Sequence, residues 1–127
     1  MNQLTHYATP LGRLLLAQIF LMAGLSKISG YAGTQGYMES MGVPGALLPL
    51  VIALEVLGGL AILLGWQTRL AALALAGFCV VSGIIFHSDF SNQMQMVMFM
   101  KNLAIAGGLL MLFAQGPGSY ALDNRKA

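Results

Sequence analysis

The chain has 127 residues, of which 57 % are hydrophobic and 8 % charged, with a formal charge of +2. A soluble domain carries roughly 25 % charged residues, so this chain cannot cover a water-facing surface with charge, and a bilayer is its better solvent. The weak, dispersed positive charge argues against nucleic acid, the single cysteine, Cys79, excludes an internal disulfide and a CxxC redox pair, and neither a Walker A motif nor a GxGxxG fingerprint occurs.

Arg13 precedes an apolar run that could pass for the core of a signal peptide. The run continues to Ile28, lacks an A-x-A site and is followed by further apolar segments, which predicts an uncleaved first span over residues 11–29. Residues 30–44, GYAGTQGYMESMGVP, are too polar to cross. They predict a short re-entrant or interfacial turn with Tyr31, Tyr37 and Met38 at headgroup level. Pro44 opens a second span over 45–65. The link Trp66-Gln67-Thr68 is so short that the third span, 69–86, must return antiparallel. A polar connection from His87 leads to the fourth span, 94–115, which Gly116-Pro117-Gly118 ends. Four helices of about 20 residues leave no room for a separate catalytic domain. The expected fold class is therefore all-α, an integral membrane four-helix bundle in one domain over 1–127.

Arg13, Arg69, Arg125 and Lys126 fall on one side of these spans, and Lys27 and Lys101 toward the other. The positive-inside rule then places both termini in the cytoplasm of a bacterial-type inner membrane.

An ionised side chain at mid-bilayer costs about 2.5 to 3.5 kcal/mol on insertion scales, so the ionisable residues of the spans should face inward and find partners. Glu55 lies near the middle of the second span, while Lys27, His87 and Lys101 lie in the outer half or at its edge. At about 100° per residue, Arg13, Ala17, Phe20, Gly24 and Lys27 return to one face. Leu15, Met22 and Leu25 lie opposite, together with Gln18. Arg69 and His87 share a face with Ala76, Val80 and Gly83. Lys101 shares one with Ala104, Gly108 and Gln115, and Gly58 and Gly59 flank Glu55. Small residues beside polar ones let helices approach closely. Depths of roughly 15 Å for Glu55 and 10 Å for Lys101 predict a Glu55–Lys101 ion pair, with Lys27 as the competing partner and His87 nearby. Asn102 is about 100° away and is assigned to another helix contact.

On this reading Glu55, His87 and Lys101 form a proton-relay and hydrogen-bonding cluster, and Lys27, His87 and Lys101 would hold a quinone or an anion. The competing reading is structural: Lys27 and His87 snorkel to the headgroups, and the ion pair only sets helix register. No metal site is expected, since His6 and His87 lie on opposite sides and Met94, Met96, Met98 and Met100 diverge around their helix.

The same residues carry a family likeness. Arg13 opens the first span, with Ile19-Phe20 and Gly24 before Lys27. Tyr31-Ala32-Gly33-Thr34-Gln35, Tyr37-Met38 and Gly42-Val43-Pro44-Gly45 follow. Glu55 precedes Gly58-Gly59, then come Thr68-Arg69, Phe86-His87-Ser88, Phe99-Met100-Lys101-Asn102 and Gly116-Pro117-Gly118 with Leu122-Asp123. In order and spacing the chain resembles the DoxX family of small four-helix membrane proteins, and in particular its short inner-membrane members, with Arg13, Gly24, Arg69, Asn102 and Asp123 among the family marks. The resemblance implies a membrane protein often associated with redox systems, and some relatives look like subunits of thiosulfate:quinone oxidoreductase.

Three functional classes stay open on the sequence. The first is a quinone-binding membrane subunit of an oxidoreductase, its electrons supplied by a redox-complex partner protein. The second is a structural or assembly protein, and the third a small-anion carrier acting as a homo-oligomer. Membrane lipids are expected partners of all three.

Overall fold

The computed structural model describes residues 2–87, 89–118 and 121–124, so Ser88, Arg125 and Lys126 lie outside the described residues. Helix α1 runs Asn2–Ser29 and α2 Tyr31–Ser40. A 3-10 turn at Gly45–Leu47 leads into α3, Leu48–Leu64, followed by α4, Thr68–Phe86, and α5, Gln93–Gln115. Among the described residues four segments are long and apolar enough to cross a membrane: His6–Ser29, Gly45–Leu64, Thr68–Phe86 and Gln93–Gln115. Helices satisfy the backbone within each segment, which lipid cannot do.

Two elements differ from the sequence expectation. Helix α1 starts at Asn2 rather than near residue 11. At about 1.5 Å per residue it is about 42 Å long, against a hydrocarbon core of about 30 Å, so its first turns project beyond the lipid. Pro10 lies in the N-terminal part of α1, where its missing N–H removes one rung of the helix ladder. The polar connection after α1 is a ten-residue helix, α2, with Met38 as its buried residue. Gly42, at φ +82°, ends it, and Val43 N–H donates back to the Met38 carbonyl at 2.9 Å.

Helix α1 packs chiefly on α3, and α5 chiefly on α4, while α3 and α4 join the two pairs. Ala17, Phe20, Ile62, Leu75, Cys79 and Leu109 belong to the shared core. Small residues set the close approaches. A Cβ on Gly24 would lie 2.6 Å from Val56 Cγ2, and one on Gly58 3.1 Å from the Leu75 side chain. Leu16 rests against Gly108, joining α1 to α5.

The inward face of α1 is the expected one: Arg13, Ala17, Phe20 and Gly24 are buried, while Leu15, Gln18, Met22 and Leu25 are exposed. On α4 the expected stripe splits, with Ala76 and Gly83 buried but Arg69 and Val80 exposed. Helix α5 reverses the expectation. Lys101, Ala104 and Gln115 are exposed and Gly108 is half-buried, whereas Ala106, Leu109 and Leu112 are buried. Ala106 and Leu109 pack into the shared core and Asn102 hydrogen-bonds to α4, which leaves Lys101 outward.

The Arg13 end of the bundle is closed by backbone capping. Gly65 ends α3 at φ +71°, and Trp66 N–H donates to the Ala61 carbonyl at 2.9 Å. Arg13 is buried and donates to the Ile62 and Leu63 carbonyls at 3.2 and 3.1 Å, taking up the last turn of α3. Helix α4 follows with no cap from its own N-cap residue, Gln67. Asp123 supplies it from the C-terminal tail: Oδ1 accepts from Gln67 N–H at 2.7 Å and Oδ2 from Thr68 N–H at 2.9 Å. Asp123 N–H in turn donates to the Gly65 carbonyl at 2.8 Å. Burial pushes the Asp123 carboxyl up, but hydrogen bonds from Thr68 and Gln67 and the charge of Arg13 outweigh it and hold the group below the usual carboxylate range.

Gly65→Ala should be costly. Its Cβ would collide with Ala121 Cβ and fall 2.6 Å from an Arg13 guanidinium nitrogen, in a left-handed conformation. A loss of about 1 to 3 kcal/mol is expected as a lower thermal midpoint in detergent. Asp123→Asn should cost about 1 kcal/mol at neutral pH. Because the folded carboxyl titrates below its unfolded value, the advantage of wild type over this variant stays constant down to about pH 4 and disappears as pH falls further, as thermal melts across pH would show.

Candidate functional site

The opposite, Lys27 end of the bundle encloses a cleft of about 460 Å³ between the helix pairs, beneath α2. Helix α1 contributes Phe20, Ala23 and Lys27, α3 contributes Val51 and Glu55, α4 contributes Phe78 and Ser82, and α5 contributes Asn102 and Ile105. Thr34, Tyr37 and Met38 of α2 form the roof. Tyr37 stacks on Phe86 with ring centroids 5.4 Å apart, and Gln35 donates to the Gly45 carbonyl at 3.2 Å, which tie α2 down over the bundle. The walls are thus mainly apolar and aromatic, with a few polar groups, the usual make-up of a small-molecule site.

An ion pair lies inside it. Lys27 Nζ is 2.8 Å from Glu55 Oε1, with the Glu55 side chain 4 % and the Lys27 side chain 27 % exposed. Glu55 stands ten residues from Gly45 and ten from Gly65, about 15 Å from each end of the span, so it sits near mid-depth. Gly24 lets α1 press against α3 one turn before Lys27: a Cβ there would be 3.4 Å from Glu55 Cβ. That contact lets the lysine stem run alongside the carboxylate.

This pairing corrects the sequence expectation of Glu55 with Lys101. Lys101 is exposed on α5 and does not line the cleft. Depth along the helix axis suited it, but rotation did not: Asn102, the next residue, takes the inward position. Its amide donates to the Cys79 carbonyl at 3.1 Å and to Ser82 Oγ at 3.3 Å, the separate helix contact assigned to it. His87 lines the cleft, half-buried at the end of α4, with Nδ1 3.1 Å from Gln95 Oε1. Of the predicted site residues, Lys27, Glu55 and His87 therefore share one cleft. Of the family marks, Gly24 and Asn102 belong to this end and Arg13, Arg69 and Asp123 to the other.

Several cleft residues were not identified from sequence. Thr34 belongs to a segment whose sequence reads as a polar connection, and Ser82 and Phe78 carry no signal that separates them from ordinary packing. Tyr37 and Met38, expected at headgroup level, both line the cleft, Tyr37 half-exposed and Met38 buried.

Removing one partner of a buried pair strands the other charge. Lys27→Met should therefore lower stability by about 1 to 3 kcal/mol, and Lys27→Met combined with Glu55→Leu should recover most of it. Chemical denaturation of the single and double variants in lipid-detergent micelles would show whether the two changes couple.

The DoxX family model matches residues 8–88, the stretch that holds Arg13, Lys27, α2, Glu55, Arg69 and His87. "Inner membrane protein YqjF" of Escherichia coli (strain K12) is 52 % identical over 123 residues, covering 97 % of this chain and 95 % of its own. "Inner membrane protein YphA" of the same organism is 34 % identical over 122 residues, covering 91 % and 87 %. "Putative oxidoreductase CatD" of Bacillus subtilis (strain 168) is 33 % identical over 76 residues, covering 60 % of this chain and 57 % of its own. No solved structure matches the chain. With these relatives and four spans capable of crossing a bilayer, the chain is a multi-pass inner-membrane protein and belongs to the DoxX family.

Proposed function

We propose that this protein is a quinone-binding membrane component of a redox system, with the cleft as the headgroup site and both termini in the cytoplasm. The observation that carries the reading is an apolar cleft of about 460 Å³ that holds a Lys–Glu pair within the segments able to cross a membrane. Ionisable groups in such segments are costly and mark sites of function. Arg13 and Arg69 at one end support the cytoplasmic orientation. The name of the Bacillus subtilis relative supports a redox setting.

The residues present fit a quinone headgroup. Phe20, Phe78 and Phe86 offer flat apolar walls, and Lys27 has N–H groups beyond the one directed at Glu55. A bound quinone would supply two-electron, two-proton chemistry. The Lys27 ammonium would hold a carbonyl oxygen, and Glu55, beside it, would take or release the proton at that oxygen. One cysteine, and histidines at opposite ends, give this chain no ligand set for an Fe–S cluster or a haem, so electrons are supplied by a partner protein. Lys101, outward on α5 and about 12 Å from its start, marks a face for that partner, because an ammonium against acyl chains alone is costly.

Titration of the protein in lipid nanodiscs with a short-chain ubiquinone should show saturable one-to-one binding. Lys27→Met should weaken it about tenfold, the effect of losing one charged hydrogen bond of about 1.4 kcal/mol. Ala23→Phe, which fills the cleft from α1, should abolish it. Uptake that rises linearly and equals partition into empty nanodiscs would refute the reading.

A further inference from the structure

The cleft reaches the side of the bundle as well as its centre. On α1, Ala23 lies one turn and Ile19 two turns below Lys27, and both line it. Ile19 is exposed and Ala23 half-buried, so this wall faces outward as well as inward. Asn102 and Ile105 of α5 line it too and are half-buried. One turn deeper on each helix, Leu16 of α1 rests on Gly108 of α5. Helices α1 and α5 otherwise hardly touch, whereas α1 is packed along α3 and α5 along α4. The facing seam is lined as well, by Val51 of α3 and by Val81 and Ile85 of α4. Those two helices, however, are tied by the short link Gly65-Trp66-Gln67 and by Leu75 seated on Gly58. At the end toward the headgroups α2 lies over the cleft, held by Tyr37 on Phe86 and by Gln35 on the Gly45 carbonyl.

We infer that the ligand enters the cleft sideways from the bilayer, between α1 and α5, and that its apolar tail stays in this seam against Ile19, Ala23 and Ile105 while the headgroup lies at Lys27 and Glu55; this rests on the quinone reading of the cleft. The order of the lining suits an amphiphile that goes in ring first. Glu55 is buried inside, and the outward-facing residues at the α1 edge are apolar. A tail lying between helices exchanges lipid for side chains that are equally apolar, so holding it there costs little. Entry past α2 would instead draw the tail through the aqueous layer, where every methylene is penalised. Parting α1 from α5 gives up few contacts beyond Leu16 on Gly108, whereas parting α3 from α4 would unseat Leu75 from Gly58. The α1–α5 seam is therefore the side on which the bundle yields most easily.

The test maps the tail on the unmodified protein. Wild type in lipid nanodiscs is irradiated with a short-chain ubiquinone that carries a photoreactive diazirine in its tail, with and without an excess of plain ubiquinone, and the labelled peptides are identified by mass spectrometry. Label on lipid-facing residues at random is not displaced by the excess and serves as background. More than half of the displaceable label should fall on α1 and α5, around Ile19, Ala23 and Ile105. Displaceable label mainly on α3 and α4, around Val51, Val81 and Ile85, or mainly on α2, would overturn the route while leaving the quinone site standing. So would saturable binding with no displaceable label on any helix. Absence of saturable binding would overturn both.

Discussion

A carboxylate and an ammonium 2.8 Å apart inside a lipid-spanning bundle set the terms for the rest of this molecule. Neither charge is tolerable alone at that depth, and the pair exists only if α1 and α3 run close together. The residues around it serve that requirement. Gly24 brings α1 onto α3 beside Glu55, Gly59 lies against Phe20 and Leu21, and Gly58 receives Leu75 from α4. A Cβ at these positions would push apart the helices that keep the charges paired. The pair is weak evidence for stability as such, since well-packed apolar residues would serve as well. Its retention next to a cleft is what points to use.

The two ends of the bundle are built differently. At the Arg13 end every turn is tied down: Arg13 on the carbonyls that end α3, Gly65 reversing the chain, and Asp123 capping α4 from a distant part of the sequence. At the Lys27 end, a short helix roofs a cleft between the helix pairs. A fixed base and a receptive top are the arrangement expected when a site must open to lipid without loosening the helices that position it.

Much of this was legible in the sequence. Long apolar runs bounded by Pro44, Trp66 and Gly116-Pro117-Gly118 placed the second, third and fourth spans to within a residue or two, and the wheel of α1 named its buried face. Lys27, Glu55 and His87 stood out because charge in such segments is rare. The sequence left the partner of Glu55 between Lys101 and Lys27. Axial depth favoured Lys101, but helix neighbours and rotation decide contact, and α5 packs on α4 rather than on α3. Helix α2 escaped because it lies outside the long apolar runs, so hydropathy gave it no voice. Asp123 was visible as a family mark, yet its role depends on a contact across 55 residues of sequence; the available clue was an α4 start, Gln67-Thr68, without a capping side chain of its own.

The central claim, that Lys27 and Glu55 are paired inside the bundle, is tested most directly by solid-state NMR in bilayers. Protein labelled with ¹⁵N at lysine Nζ and ¹³C at glutamate Cδ should give a strong dipolar coupling that vanishes in Lys27→Met and persists in Lys101→Met. A coupling that survives Lys27→Met and is lost in Lys101→Met, or no coupling to Glu55 at all, would contradict the account.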